Sequence, residues 1–299
     1  MSIKTAYLCL FGATFIWGLQ AVMMKLLLAQ YSAITVVMMR CTLMVVCYFL
    51  VVYAANKRIV LPTKKQLKIL AVMGFCCIPV NNIVQFEGLR YTTAIHCTLL
   101  GATVPAITAF LAYFILKERL NLIQWLGILI SFTSVLCMMS KGDLSMITSQ
   151  GFNFGDILVL ISEVGWSLYI IFGRKVMQEL SPIVTSAWAS LCGTLMTMPY
   201  ALASGELAFS PPSMQQLGAL FFVVVCSGVL ATIIWNFGVS TAGAGKSSIF
   251  SNITPFTGLI FGNLILNEAF TLFDIIGMLL VSAGVYIILN LSYPKCLPN

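Results

Sequence analysis

Apolar residues run in ten blocks along this chain, at 5–28, 33–53, 67–89, 93–115, 120–139, 154–173, 183–203, 216–238, 244–266 and 270–291. Each block is close to the roughly 20 residues that a helix needs to cross a bilayer. Polar and charged stretches punctuate them, among them "ANKRIVLPTKKQ", "LKERLN", "SKGDLSMITSQG", "GRKVMQELSP" and "SGELAFSPPS", which carry turn and breaker signals. In hydrocarbon the backbone must satisfy its own hydrogen bonds, so each block is predicted to be a helix. The fold class expected is an all-α membrane protein of ten transmembrane helices.

Composition agrees. Hydrophobic residues are 60% of the 299 and charged residues 8%, with a mean hydropathy of +1.00. Soluble domains carry about 25% charged residues, so this chain cannot cover a globular surface with polar groups. The net charge of +7 does not point to nucleic acid, because the basic residues fall between the blocks. With the N-terminus inside and ten alternating spans, twelve of the 16 Lys and Arg lie on the inner side. Three, Lys25, Arg90 and Lys141, lie outside, and Arg40 sits within a span. That asymmetry predicts both termini in the cytoplasm; the membrane expected is a bacterial inner, or plasma, membrane. Lys4 and the apolar run behind it resemble the start of a signal peptide, but the run is long enough to span and is expected to stay as a helix. Nearly all of the ten cysteines lie within apolar blocks without a C-x-x-C, which reads as small buried apolar residues.

The chain repeats itself. "PAITAFLAYFILKERLNLIQWLG" (105–127) returns 150 positions later as "PFTGLIFGNLILNEAFTLFDIIG" (255–277), with Pro105 on Pro255, Glu118 on Glu268 and Gly127 on Gly277. "GLRYTTA" (88–94) meets "GVSTAGA" (238–244) at the same offset, and at 149 Trp17 meets Trp166, Lys25 meets Arg174 and Ser32 meets Ser181. The halves, 1–145 and 146–299, each hold five helices. Five is odd, so the second half starts on the opposite side of the membrane. Inverted repeats with a site at their interface are a transporter signature.

On these motifs the chain resembles the EamA-type transporters of the drug/metabolite transporter superfamily, over about residues 5–139 and 154–290. In that family a helix with a mid-span proline leads to a Glu at a tight turn and then to a Gly-rich fifth helix. Lys117 and Asn267 stand where the family's usual glycine precedes the motif Glu. The resemblance implies export of amino acids, their relatives and assorted metabolites; a drug or nucleotide-sugar substrate is the alternative.

Candidate residues follow from cost. Ionisable and polar groups at membrane depth are expensive and mark function. Glu163 and Arg40 are expected at similar depth from the outer side, roughly 12 and 10 Å at 1.5 Å per residue, facing each other across a cavity and holding a zwitterion by its amine and carboxylate. Asn81, Asn82 and Gln85 fall in the third helix, Trp17 and Gln20 in the first, Trp166 one turn after Glu163, and Trp235 with Asn236 in the eighth; these complete the expected substrate site. A proton on Glu163 is a coupling route. Pro105 and Pro255 are either paired hinges or static bends, and Pro79 interrupts a third span. Glu118 and Glu268 read as helix-start residues, the Gly258-x-x-x-Gly262 stretch with Gly127, Gly277 and Gly284 as close-contact faces, and His96, the one histidine, as a wet and idle outer residue. "STAGAGKSS" fails as a phosphate loop because Ser240 stands where a glycine is needed. With one shallow histidine and scattered cysteines, neither an intramembrane enzyme nor a metal site is expected. No cofactor is expected either. A non-transporting sensor is a further alternative.

Overall fold

A computed structural model of the protein describes residues 3–115, 121–140, 153–242, 250 and 253–290. Every regular element among them is helical. The first half holds α1 (Ile3–Leu28), α2 (Ala33–Asn56), α3 (Lys64–Tyr91), α4 (Ala94–Ile115) and α5 (Leu122–Ser140). The second holds α6 (Phe154–Val176), α7 (Pro182–Ala203), α8 (214–242), α9 (Ile253–Leu266) and α10 (Leu272–Asn290). Within them, Ile3–Leu28, Ala33–Asn56, Lys64–Tyr91, Ala94–Ile115, Phe154–Gly173 and Met214–Trp235 are long and apolar enough to cross a membrane, and Trp125–Ser134, Ile253–Leu266 and Leu272–Gly284 are shorter apolar helices. The chain is therefore an integral membrane protein built from helices.

Helix starts are written into the sequence and recur between halves. Ser32 caps α2 by accepting from Thr35 N–H, and Ser181 caps α7 by accepting from Val184 N–H. Thr63 and Gln66 close a reciprocal capping box on α3, as Ser213 and Gln216 do on α8. Such caps satisfy N–H groups that a helix's first turn leaves orphaned, and each contributes about 1 kcal/mol.

α3 and α8 share a second feature. Both widen into π-helix, with i→i+5 hydrogen bonding, over Cys76–Ile83 and Phe222–Ala231. Shifted by the repeat offset of 150, the second segment falls on 72–81 and overlaps the first. In α3 the cause is legible: Pro79 has no N–H and its ring crowds the carbonyl four residues back, which the wider register relieves. The α8 segment contains no proline, and nothing local explains its register.

Glycines let the rods approach. A Cβ on Gly74 of α3 would stand 2.6 Å from Gly193 N of α7, so the two backbones touch at this crossing. Gly258 and Gly262 of α9 lie against Thr98 and Ile95 of α4, where a Cβ would overlap either side chain, and Gly284 of α10 faces the Gly127 carbonyl of α5. These are the close-contact faces expected of small residues in a bilayer. α4 itself is broken: Ala94–Gly101 and Val104–Ile115 are joined by a tight turn in which Thr103 Oγ1 donates to Leu100 O at 2.6 Å, two residues before Pro105. Pro255, by contrast, is buried in the first turn of α9, where a missing N–H costs nothing. The turn before α10 has a left-handed residue that is not glycine. Asn267 adopts φ 52°, a left-handed conformation that asparagine tolerates better than other non-glycine residues. Lys117 and Glu118 lie outside the described residues.

Candidate functional site

Arg40 comes from the first third of α2 and is only 6% exposed. It does not turn out to the headgroups. Its Nε donates to Val223 O of α8 at 3.2 Å, one terminal nitrogen donates to Asn82 Oδ1 of α3 at 3.2 Å, and the other to Gln20 Oε1 of α1 at 3.3 Å. The guanidinium carbon lies 5.7 Å from the Phe86 ring centroid, a cation–π distance. Among the described residues no carboxylate is within ion-pair distance. A positive charge is thus buried and solvated entirely by neutral dipoles.

One of those dipoles belongs to the π segment of α8. Val223, Ser227 and Gly228 all lie in the π segment, and side chains from the first half bond their carbonyls: Arg40 at Val223, Trp17 Nε1 at Ser227 O (3.2 Å) and Tyr48 OH at Gly228 O (2.7 Å). Ser227 Oγ donates to Gln20 Oε1, closing the ring back onto Arg40's partner. Trp17 and Trp235 lie side by side, ring centroids 5.2 Å apart.

Glu163 of α6 is 4% exposed and accepts one hydrogen bond, from Gln85 Nε2 of α3 at 2.9 Å. Its carboxylate faces α4 just before the break, where a Cβ on Gly101 would lie 3.6 Å from Oε1. Asn81 Nδ2 donates to Ser162 O at 2.9 Å, and a Cβ on Gly165 would come within 2.8 Å of Cys76 O. The π segment of α3 therefore seats directly on α6. Trp166 stacks on Tyr169, centroids 5.0 Å apart and rings 10° from parallel.

Of the residues the sequence singles out, Arg40, Asn81, Asn82 and Glu163 are buried and Trp17, Gln20, Gln85, Trp166 and Trp235 half-buried; α3 carries the amide partners of both charged groups, Asn82 for Arg40 and Gln85 for Glu163. The expected facing of Arg40 and Glu163 as a pair is not what is found: Asn82 holds one charge and Gln85, a turn further along α3, holds the other. The side chain of Asn236 and those of Glu118 and Arg174 lie outside the described residues.

A second polar cluster was not anticipated. His96, expected to be idle, stands between two buried carboxylates. Nδ1 is 3.1 Å from Asp156 Oδ2 of α6, and Nε2 is 3.1 Å from Asp274 Oδ1 of α10, off the ideal hydrogen-bond line. The histidine side chain is 18% exposed and the two aspartates 1% and 3%. Thr92 Oγ1 donates to Asp156 Oδ1, and Lys25 Nζ donates to the Thr92 carbonyl. Lys25 also pairs with Glu268 at 3.1 Å, and Glu268 accepts from Ala94 N–H (2.9 Å) and Ile95 N–H (3.0 Å). Glu268 is thus a helix-start residue, as expected, but of α4 and not of the α10 that follows it. Asp274 accepts from Thr271 N–H and Oγ1 at 2.6 and 2.9 Å. Read singly along the chain, Asp156 and Asp274 look like ordinary first-turn acids, which hid the cluster.

An interior of buried charge and amide inside a wall of apolar helices is the arrangement of a membrane transporter. The comparisons with known proteins agree. The EamA-like transporter family matches residues 4–140 and 153–290, and the chain belongs to that family. It is 30% identical to the uncharacterized transporter YyaM of Bacillus subtilis over 220 residues, 73% of this chain and 70% of that one. It is 25% identical to the uncharacterized transporter YetK of the same organism over 295 residues, 98% and 89% of the two chains. One solved crystal structure aligns with 98% of this chain and 100% of its own at a TM-score of 0.68 and 15% identity, a likeness of fold.

Proposed function

We propose that the protein is a ten-helix secondary transporter that exports an amino acid or a related zwitterionic metabolite. The halves 1–145 and 146–299 form inverted five-helix repeats and open the site alternately to either side of a bacterial inner membrane, with both termini cytoplasmic. The observation that carries the substrate class is the pair of uncompensated charges. Among the described residues, Arg40 is buried with neutral partners and Glu163 with Gln85 as its one hydrogen-bond partner. Inserting a lone charge costs about 2.5–3.5 kcal/mol, a cost that a bound carboxylate at Arg40 and amine at Glu163 would offset. A proton on Glu163 would release the amine and offers a route to proton coupling. Trp17, Trp166 and Trp235 supply apolar platforms. The break in α4 beside Pro105 supplies the hinge; its repeat-mate Pro255, in the first turn of α9, interrupts no helix and adds none. The recurrence of caps and π segments in α3 and α8 supports the repeat.

A drug-like or nucleotide-sugar substrate is the second reading, favoured by the stacked Trp166–Tyr169 pair.

Liposomes containing the purified protein test the first reading. A panel of radiolabelled amino acids should include at least one that moves down its gradient and is unaltered chemically. Movement of none, with movement of a drug or sugar nucleotide, overturns the zwitterion reading. Orientation is tested separately with cysteines at Leu61 and Ser145, the second outside the described residues. In intact cells an impermeant maleimide should label position 145 and spare 61.

A further inference from the structure

A proline hinge and a binding site leave open what keeps one end of the bundle shut. The start of α4, the start of α6 and the start of α10 converge on a single group, the His96 imidazole, whose two nitrogens face one buried carboxylate each. Neutral imidazole carries one N–H and can donate on one side only, leaving its other nitrogen lone pair against a carboxylate. Imidazolium carries two and can bridge both. We infer that Asp156, His96 and Asp274 form a proton-binding latch that closes this end of the transporter when occupied and frees it when the proton leaves.

The charges around it agree. From α1 comes Lys25, which lies between the Thr92 carbonyl and Glu268; from the turn before α10 comes Glu268, spent on Lys25 and on the first N–H groups of α4. Those two cancel. From α6 comes Asp156 and from α10 Asp274. The remaining acid of α6, Glu163, stands seven residues deeper and has its own partner in Gln85. With His96 charged, the group as a whole buries one net negative charge; with His96 neutral it buries two, and two carboxylates repel across a ring that no longer bridges them. The protonation itself is simple: a ring nitrogen lone pair accepts H⁺ from hydronium at this end, an N–H bond forms as an O–H bond of hydronium breaks, and water is left. On the sequence's basic-residue asymmetry this end is the outer one, so acid outside closes the outer side.

The inference rests on the transporter reading only in treating this end as a gate, and its test needs no substrate. Spin labels are attached at Tyr91→Cys and Leu272→Cys, both exposed positions flanking the latch and outside it, with other reactive cysteines replaced. Distances are then measured in lipid nanodiscs from pH 5 to pH 9. A short distance should dominate in acid and a longer one in base, and the ratio of the two should change by up to tenfold per pH unit, the limit for one linked proton. In His96→Gln the ratio should not vary with pH. In Asp274→Asn, with one acid removed, the midpoint of opening should move to lower pH. Glu87→Gln, which breaks only the exposed Glu87–Arg90 pair, should keep the wild-type response. A wild-type distance that ignores pH, or a response that survives His96→Gln, overturns the latch. A response lost in Glu163→Gln and kept in His96→Gln also overturns it, and places the proton at the substrate site. Failure of the zwitterion reading would appear in the transport assay and leave these distances untouched.

Discussion

Two polar regions lie within this apolar bundle, and they are solvated in opposite ways. Around Arg40 and Glu163 the partners are amides, an aromatic face and a main-chain carbonyl; each charge is held, and neither is neutralised. Around His96 and Lys25 the described ionisable groups face one another: Lys25 pairs with Glu268, and each His96 nitrogen faces a carboxylate, all at 3.1 Å. Neutral partners position a charge while leaving its field to act on something else. Charged partners consume the field and tie helices together. The first arrangement suits a ligand, the second a joint.

The comparison breaks most sharply at Arg40. Arg40→Gln removes the uncompensated cation and Glu163→Gln the uncompensated anion. Truncating one member of a desolvated charge contact costs about 2–5 kcal/mol, so substrate affinity should fall by roughly 30-fold or more in each, measured by calorimetric titration of folded protein. Retained affinity in both would mean that the ligand sits elsewhere. Arg40→Lys should recover little, because an ammonium cannot reach Gln20, Asn82 and the Val223 carbonyl together.

A smaller effect is expected at the joint. Glu268→Gln keeps an oxygen for the α4 N–H groups but loses the pairing with Lys25. Thermal unfolding should report a loss of roughly 0.5–2 kcal/mol, in the range of a weakened cap, with affinity per folded molecule within about twofold of wild type. A fall in affinity like that of Arg40→Gln would merge the two regions into one.

Much of the first region was legible in the chain and little of the second. Asn82, Gln85, Arg40 and Glu163 stand out because each is polar in the middle of an apolar block, where cost alone marks it. Their partners were not legible: Arg40 and Glu163 are expected at matching depth, yet depth says nothing about rotation around the bundle, and each takes its amide partner from α3. The Val223 carbonyl was invisible for a different reason, since no residue in "FVVVCSGVLA" announces a π turn. In the second region His96, Asp156 and Asp274 are separated by 60 residues or more, and each has an ordinary local explanation near a helix start. The turn at Asn267 was the reverse case. Asn267, where the family's usual glycine is missing, takes a left-handed φ of 52° that asparagine can reach.

The smallest effect sharpens the link between the regions. Trp17→Phe removes the hydrogen bond to Ser227 O and should cost about 1 kcal/mol of stability, with a change in substrate affinity below about fivefold. A larger loss of affinity would assign the indole N–H to the ligand.

The wide turn in α3 sets a rotational phase. Each residue of an α-helix advances the side chains by about 100°, so a helix that takes up one extra residue in a π turn reads differently before and after it. Gln66, Leu70 and Met73 precede the turn and are buried beside α6 and α7, while Asn82, Gln85 and Phe86 follow its Pro79 and address Arg40 and Glu163. Deleting a single residue between Cys76 and Val80 would rewind the segment. The downstream face would swing by roughly a quarter turn, carrying Asn82 and Gln85 off their partners while the cap at Thr63 stayed in place. The helix would keep its composition and its hydropathy and lose its aim.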